Sequence, residues 1–167
     1  MNKIGLLTFH RAKNYGAVLQ AYSLFTFLNK YGSCEIVDYR CSAIENTYYR
    51  KKGFLNLIKK TAKFVLHPKK EFNKIRRYRK IDCFLKKELI VSNKHYFKNS
   101  IKDSTLVYDS FVVGSDQVWN LDIVNGDLTY FLDFASKSKK IAYACSFGNV
   151  EIIEKYYHSF KKHITCF

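Results

Sequence analysis

The chain lacks the features that mark several common protein classes. Its 167 residues include five cysteines, an odd number with no C-x-x-C pair, and no metal-ligand spacing. No apolar run approaches the roughly 20 residues that span a bilayer, and no secretory signal precedes the first strand pattern. No internal repeat is present. These absences argue against a disulfide framework and a metal site, and they predict a soluble, cytoplasmic protein with free thiols.

Acidic residues are also scarce, because 29 Lys and Arg stand against 14 Asp and Glu, a formal net charge of +15. Residues 50–102 hold 18 of these cations and three acids, which leaves 11 of each sign in the flanking parts. We predict that 50–102 is a basic helical insertion within a single domain spanning residues 1–167. Such a block attracts phosphates, anionic lipid or acidic glycans.

Three hypotheses describe the insertion. An amphipathic basic stretch over residues 54–66 ends at His67-Pro68, and a second helix is predicted over residues 71–89. Residues 50–102 would contact an anionic membrane peripherally, at its inner face, or they would be a solvated helical pair covering the sheet edge. Nucleic acid is a less favoured partner, because the chain shows no RNA-binding motif or helix-turn-helix.

Three short apolar runs each lead into a polar loop that contains glycine. Such runs, without alternation, predict parallel strands buried on both faces and an α/β fold of the Rossmann-like type, flanked by helices. Ligands bind such sheets beyond the carboxyl ends of the strands. The runs with their loops are IGLLTFHRAKNYG at 4–16, FVVGSDQVWN at 111–120 and IAYACSFG at 141–148.

Further elements follow from spacing and turn residues. Strands are predicted over residues 3–9, 34–39, 109–114 and 139–145, with helices from about 16 to 28 and from 151 to 164. A polar, irregular stretch over 41–53, turns at 92–93 and 99–100, and a loop with a short helix or strand over 127–134 complete the prediction.

The first loop carries His10, Arg11, Lys13 and Asn14 immediately before a helix. The unpaired N–H groups of a helix N-terminus favour an anion, so ligand contact is one interpretation. The other is that Asn14 caps the helix while His10 and Lys13 face water. Neither G-x-G-x-x-G nor a P-loop occurs, so no dinucleotide or NTP cradle is indicated.

The second and third loops offer hydroxyl, amide and carboxylate groups. Asp116 would act as a base or bind sugar hydroxyls, or it would cap a helix. Trp119 would stack on a sugar or, as we favour, fill the core. Cys145 is a candidate nucleophile if His10 lies near it, but a buried, inert thiol is the favoured interpretation.

These segments together resemble the polysaccharide pyruvyl transferase family. The order and spacing of the matching pieces agree as well as their residues, and they extend along the whole chain except for the basic insertion. The pieces are residues 3–22 (KIGLLTFHRAKNYGAVLQAY), 37–40 (VDYR), 111–120 (FVVGSDQVWN), 130–134 (YFLDF) and 141–148 (IAYACSFG).

The resemblance implies one half of a GT-B-like architecture of two Rossmann-like domains. It implies transfer of a pyruvyl group from phosphoenolpyruvate to two hydroxyls of a polysaccharide or lipid-linked glycan, forming a ketal in cell-surface polysaccharide biosynthesis. Phosphoenolpyruvate is the donor substrate, and no cofactor is expected. The resemblance covers the N-terminal domain only, so the chain is expected to be a truncated or split product, a fragment, or a part that a second chain completes with the missing domain. The alternative is a non-catalytic remnant that binds a glycan or an anionic surface.

The resemblance and the chemistry together suggest roles for particular residues. Asp116 and His10 are the expected acid–base groups, and Arg11 would neutralise an anion. The remaining candidates would bind or orient the substrate. They are Asn14, Gln20, Ser115, Gln117, Trp119, Asn120 and Ser146.

Overall fold

A computed structural model describes residues 2–49, 64–102, 107–135, 139–165 and 167. Its strands form one all-parallel sheet in the order β3-β2-β1-β4-β5. The predicted Rossmann-like α/β sheet flanked by helices is therefore confirmed. The strands are β1 (Lys3–Leu7), β2 (Ser33–Tyr39), β3 (Val91–Tyr96), β4 (Ser110–Gly114) and β5 (Lys139–Tyr143).

Two of the helices begin where the local sequence favours it. The Asn14 side chain accepts a hydrogen bond of 2.8 Å from the Ala17 N–H and so caps the first helix. Pro68 opens the third helix. Proline is tolerated there because the N–H that it lacks would have no partner within the first turn of a helix. The helices are α1 (Tyr15–Leu28), α2 (Ser42–Tyr48), α3 (Pro68–Glu88), α4 (Lys98–Lys102), α5 (Val150–Lys155) and α6 (Tyr157–Ile164).

The central strands bury both faces, and alternate residues of β1 show it. Leu6, which lies opposite Ile36 and Val112 in the neighbouring strands, packs into the core on the α1 side. Leu7 points to the other face, into a core that also contains residues of α2, α5 and α6. Strands covered on both faces need near-continuous apolar sequence, which explains the runs in β1 and β4.

Three predictions between residues 41 and 100 are wrong. α2 occupies part of the stretch predicted to be irregular. The turn predicted at 92–93 lies in β3, which pairs with β2, so this part of the predicted helical insertion belongs to the sheet. The turn predicted at 99–100 lies in α4. β3 has a polar sequence because it is an edge strand, partly open to solvent, whose pairing rather than pattern makes it a strand. Of the amphipathic stretch predicted over 54–66, residues 54–63 lie outside the described residues.

The C-terminal third also departs from prediction. The apolar run of β5 is mostly exposed, since β5 is the other edge strand and the described elements leave it uncovered. The single helix predicted over 151–164 is two helices, with a break at Tyr156. Residues Leu128–Phe131 form a 3₁₀ helix, within the loop predicted there.

Candidate functional site

The loops that follow β1, β4 and β5 meet at one edge of the sheet. The Thr8 hydroxyl donates a hydrogen bond of 3.0 Å to the Gly114 carbonyl, which joins the first two loops. The Ser146 N–H donates to the Asp116 carbonyl at 3.0 Å, which joins the second and third. The three loops singled out in the sequence therefore share the carboxyl edge of the sheet, where parallel α/β proteins bind ligands.

Unusual backbone conformations shape the loops after β4 and β5, which we call the β4–β5 rim (residues 114–120 and 144–148). Ser115 and Ala144 have φ angles of 58° and 49°, a left-handed conformation that is uncommon for residues with a Cβ. At Gly114, with φ of 143°, an added Cβ would lie 1.9 Å from the Tyr143 carbonyl oxygen. Such strained positions concentrate at binding and catalytic sites.

Asp116 is the half-buried acid of this rim. Its Oδ1 accepts a hydrogen bond of 2.7 Å from the Gln117 N–H, and within the described ranges its carboxylate has no other hydrogen bond. Burial raises the pKa of Asp116, and the Gln117 N–H offsets only part of this rise. A turn rather than a helix follows Asp116, so the helix-capping interpretation is wrong. A carboxyl group with a raised pKa is suited to exchange a proton.

Amide side chains and a glycine lie next to Asp116 along the rim. Asn120 donates from Nδ2 to Gln117 Oε1 at 3.3 Å, and its Oδ1 accepts from the Asp122 N–H at 3.2 Å. Gly148 packs against this pair, because an added Cβ would lie 2.6 Å from Asn120 Nδ2. Asn120 is thus mainly a turn-stabilising residue, whereas Gln117 is exposed at the surface.

The rim adjoins an open groove between α1 and β5. The Ser115 hydroxyl donates to the Gln20 carbonyl at 3.2 Å, which ties the rim to α1. The groove has a volume of about 440 Å³ and combines polar side chains with apolar and aromatic ones. It is lined by Leu19, Gln20, Ser23, Leu24, Phe27, Ser115 and Tyr143.

Trp119 belongs to the core rather than to the surface of the rim. It is 8% exposed, its ring stacks on Phe131 at a centroid distance of 5.2 Å, and its Nε1 donates to the Tyr130 carbonyl at 3.2 Å. This arrangement agrees with the core interpretation, and little of the ring remains to stack on a sugar.

The thiol of Cys145 lies 3.2 Å from the Val113 carbonyl oxygen. Burial raises its pKa to about 12, with a smaller opposing effect of the Tyr143 backbone. A thiol with so high a pKa is largely protonated at neutral pH, so the inert interpretation is the one this environment favours. Ser146 is exposed, and its hydroxyl accepts from the Gly148 N–H at 3.0 Å.

On the other side of the edge lies a set of acidic and basic side chains, which we call the β1–β2 charge cluster (His10, Arg11, Asp38, Arg40 and Glu45). His10 is 5% exposed, with Nε2 lying 3.2 Å from Asp38 Oδ1 and Nδ1 lying 3.3 Å from the Thr8 carbonyl oxygen. Arg40 donates to Asp38 Oδ2 at 3.1 Å. Burial raises the pKa of Asp38, but His10 and Arg40 outweigh burial and lower it to about 2.

Arg11 and Lys13 also have carboxylate partners. Arg11 pairs with Glu45, and its guanidinium lies 4.4 Å from the centroid of the Tyr49 ring. Lys13 pairs with Asp82 of α3, and burial together with the nearby Arg11 lowers its pKa to about 8. The expectation that His10 and Lys13 face water is wrong, because both are buried against partners. Asn14 caps α1, as one interpretation predicted.

Sequence reasoning assigned no role to Asp38, Arg40, Glu45 or Asp82. The position of Asp38 directly after the buried Ile36 and Val37 of β2 was a usable signal, since an acid at the end of a buried strand must find partners. The described residues contain no group of three or more His, Cys, Asp or Glu side chains that would hold a metal ion. Within the described ranges, no helix is long and apolar enough to cross a bilayer.

The parallel sheet, with its loops gathered at the carboxyl edge, defines an α/β domain of the Rossmann-like class. The model of the polysaccharide pyruvyl transferase family matches residues 14–167, so the chain belongs to this family, which is a family of transferases. No curated protein and no solved structure matches the chain. The family assignment made from the sequence segments is confirmed.

Proposed function

We propose that this chain binds the sugar acceptor in the transfer of a pyruvyl group from phosphoenolpyruvate, and that it forms the acceptor-side half of the catalytic cleft. The observation that carries the proposal is the groove of about 440 Å³ that adjoins the β4–β5 rim at Ser115, the residue next to Asp116. Family membership supports a pyruvyl transfer, and the groove supports the acceptor side of it.

The groove has the composition that sugars favour. Phe27 and Tyr143 have nearly parallel rings with centroids 6.4 Å apart, and both are largely exposed. Aromatic and aliphatic faces pack against the C–H faces of a pyranose, while Gln20 and Ser115 bind its hydroxyls. Apolar faces beside uncharged hydrogen-bonding side chains favour a glycan over a small, highly charged metabolite.

The reaction needs a group that exchanges protons. A proton adds to the methylene carbon of phosphoenolpyruvate, which becomes a methyl group, and a sugar hydroxyl attacks C2. The bond from C2 to the phosphate oxygen breaks, phosphate leaves, and the second hydroxyl closes the ketal. One hydroxyl proton balances the methyl group and the other leaves with phosphate. Asp116 suits this exchange better than His10, because both nitrogens of His10 already contact protein oxygens.

The test measures phosphate release from phosphoenolpyruvate with oligosaccharides of the cell-surface polysaccharide, together with mass spectrometry of the ketal. The chain is assayed alone and together with the second Rossmann-like domain of another member of the family. We expect Asp116→Asn to lower kcat by about a hundredfold or more, the usual effect of losing an acid–base group. Asp133→Asn, an exposed carboxylate paired with His163, is the matched control.

Each result has a definite meaning. Equal turnover of Asp116→Asn and the control would overturn the role of Asp116. Glycan binding without phosphate release under either condition would favour the alternative, a remnant that binds a glycan or an anionic surface without catalysis. Ketal formation on the oligosaccharide would support the transferase.

A further inference from the structure

The two halves of α3 have different surroundings. In the second half Ile81 is buried, and the ring of Phe84 packs edge-on against Tyr22 of α1 with centroids 5.2 Å apart. In the first half, residues 68–80, most side chains are exposed, and only Glu71 and Tyr78 are partly covered. The helix is therefore anchored by its second half and presents its first half to the surroundings.

The first half of α3 carries seven Lys and Arg residues and one acid, Glu71. The described residues provide no ion-pair partner for any of the seven; the pairs of α3 among them are Lys13 with Asp82 and Lys87 with Glu88. Seven uncompensated cations on less than four turns of helix create a strong positive potential. An anionic partner would neutralise it.

Two depressions lie next to each other on this half of the helix. One is a cationic groove of about 1030 Å³, and the other is a more apolar depression of about 560 Å³. Phe72 and Ile75 line the second and are 62% and 42% exposed, while Arg76 lines both. Arg76, Arg79 and Lys80 line the second depression together with Phe72 and Ile75.

Exposed apolar side chains among cations distinguish a bilayer from other anionic partners. Aromatic and aliphatic groups enter the interfacial region of a bilayer while Lys and Arg contact its headgroups. Phe64, Val65 and Leu66, just before α3, are exposed as well and enlarge the apolar surface. A single-stranded nucleic acid stacks its bases on several aromatic rings. Within residues 68–80 Phe72 is exposed, whereas Tyr78 is partly covered and has Lys74 and Arg77 at 5.8 and 5.5 Å from its ring centroid.

We propose that the first half of α3, residues 68–80, is a docking surface for a membrane rich in anionic phospholipid. Arg76, Arg79 and Lys80 beside the apolar depression contact the headgroups, and Phe72 with Ile75 enters the interfacial layer. The surface lies on a different element from the β4–β5 rim, so docking and sugar binding are separable. Attraction of this kind weakens with salt.

The test is flotation of the intact protein with vesicles of phosphatidylglycerol and phosphatidylcholine in equal parts, and with vesicles of phosphatidylcholine alone. We expect binding only to the anionic vesicles. Each cation near such a surface contributes about fivefold to binding, so Arg76→Gln/Arg79→Gln/Lys80→Gln should weaken it about a hundredfold. The control, Lys30→Gln/Lys94→Gln/Lys161→Gln, has the same net charge and alters exposed sites elsewhere.

A second variant tests the apolar part of the surface. Phe72→Ser/Ile75→Ser keeps every charge, alters only exposed side chains, and should weaken binding to the anionic vesicles about tenfold. Circular dichroism checks that each variant retains its helices. An equal loss of vesicle binding in Arg76→Gln/Arg79→Gln/Lys80→Gln and in its control would overturn the proposal. So would tighter binding to single-stranded oligouridine than to vesicles, since that result would assign the surface to nucleic acid.

Discussion

On the β1–β2 side of the sheet edge, pairs of acidic and basic side chains determine the local structure. On the β4–β5 side, left-handed backbone conformations determine it. Asp38 and Asp116 show the difference most clearly. The pKa of Asp38 is lowered to about 2 because His10 and Arg40 outweigh its burial, whereas burial raises the pKa of Asp116. Asp38 therefore remains an anion near neutral pH, and Asp116 is closer to exchanging its proton.

The difference indicates a division of labour. A carboxylate that His10 and Arg40 hold as an anion contributes to the fold and is poorly suited to proton transfer. A half-buried carboxylate beside exposed amides and hydroxyls contributes little to the fold and is suited to chemistry. Changes in the β1–β2 charge cluster should therefore affect stability first, and changes in the β4–β5 rim should affect turnover first.

The largest effect on stability is expected from Asp38→Asn. The substitution leaves the buried His10 and the partly buried Arg40 without their shared carboxylate. Breaking a buried ion pair on one side costs about 3 kcal/mol, because a charge remains without compensation. Urea denaturation of the variant and of the unchanged protein measures the difference in the free energy of unfolding.

Asp133→Asn is again the control, since Asp133 pairs with His163 near the surface. Such pairs contribute about 0–1 kcal/mol. If both variants lost the same small amount, the charge cluster would not stabilise the fold in the way described.

The central fold could be predicted because its signals are local. β1 and β4 are buried on both faces and need apolar runs, and the spacing of α1 predicts a helix. β3 could not be predicted in this way, since pairing with β2 makes its polar sequence a strand. The exposure of β5 was missed for a related reason, because an apolar run does not reveal whether its strand lies at the edge of a sheet.

The candidate site was only partly predictable. The loops were located correctly because the carboxyl ends of parallel strands share one edge. The burial of His10 and Lys13 could not be foreseen, because their partners Asp38 and Asp82 lie 28 and 69 residues away in the chain. Long-range pairing of this kind leaves no periodic signal near either residue.

Lowering the pH provides the next test of the comparison. It should remove about 2 kcal/mol that Asp38 contributes to the free energy of unfolding. The native pKa of Asp38, about 2, lies below its unfolded value near 3.8, so the unfolded chain binds more protons between these values. Stability from Asp38 is complete above about pH 4 and is lost as the pH falls towards 2. The pKa of Asp116 is shifted in the opposite direction, upwards, so the contribution of Asp116 to stability decreases as the pH rises through its titration.

Urea denaturation between pH 2 and pH 6 should therefore show a shallower loss in acid for Asp38→Asn than for the unchanged protein. Asp116→Asn should not reduce that loss. A curve for Asp38→Asn parallel to that of the unchanged protein would mean that Asp38 is not held as an anion by its neighbours.

Gly148→Ala should have an intermediate effect and should act on the rim. Gly148 has a φ of 93°, and an added Cβ would lie 2.6 Å from Asn120 Nδ2 and 2.9 Å from Gln117 Oε1. Both atoms end flexible side chains that are able to move, so the expected loss of stability is about 1 kcal/mol, mostly from the backbone. The displaced Gln117 should raise the KM for the acceptor. An unchanged KM would remove this amide pair from the acceptor site.

The smallest effect, with the opposite sign, is expected from Ala144→Gly. Ala144 has a φ of 49° at the end of β5, where its Cβ makes the left-handed conformation unfavourable. Glycine adopts this conformation freely, but it also makes the unfolded chain more flexible, so the net stabilisation should be about 0.5 kcal/mol. Thermal unfolding would show a small rise in Tm. A fall in Tm would mean that the backbone at this end of β5 is not strained. It would weaken the contrast between the β1–β2 charge cluster and the strained backbone of the β4–β5 rim.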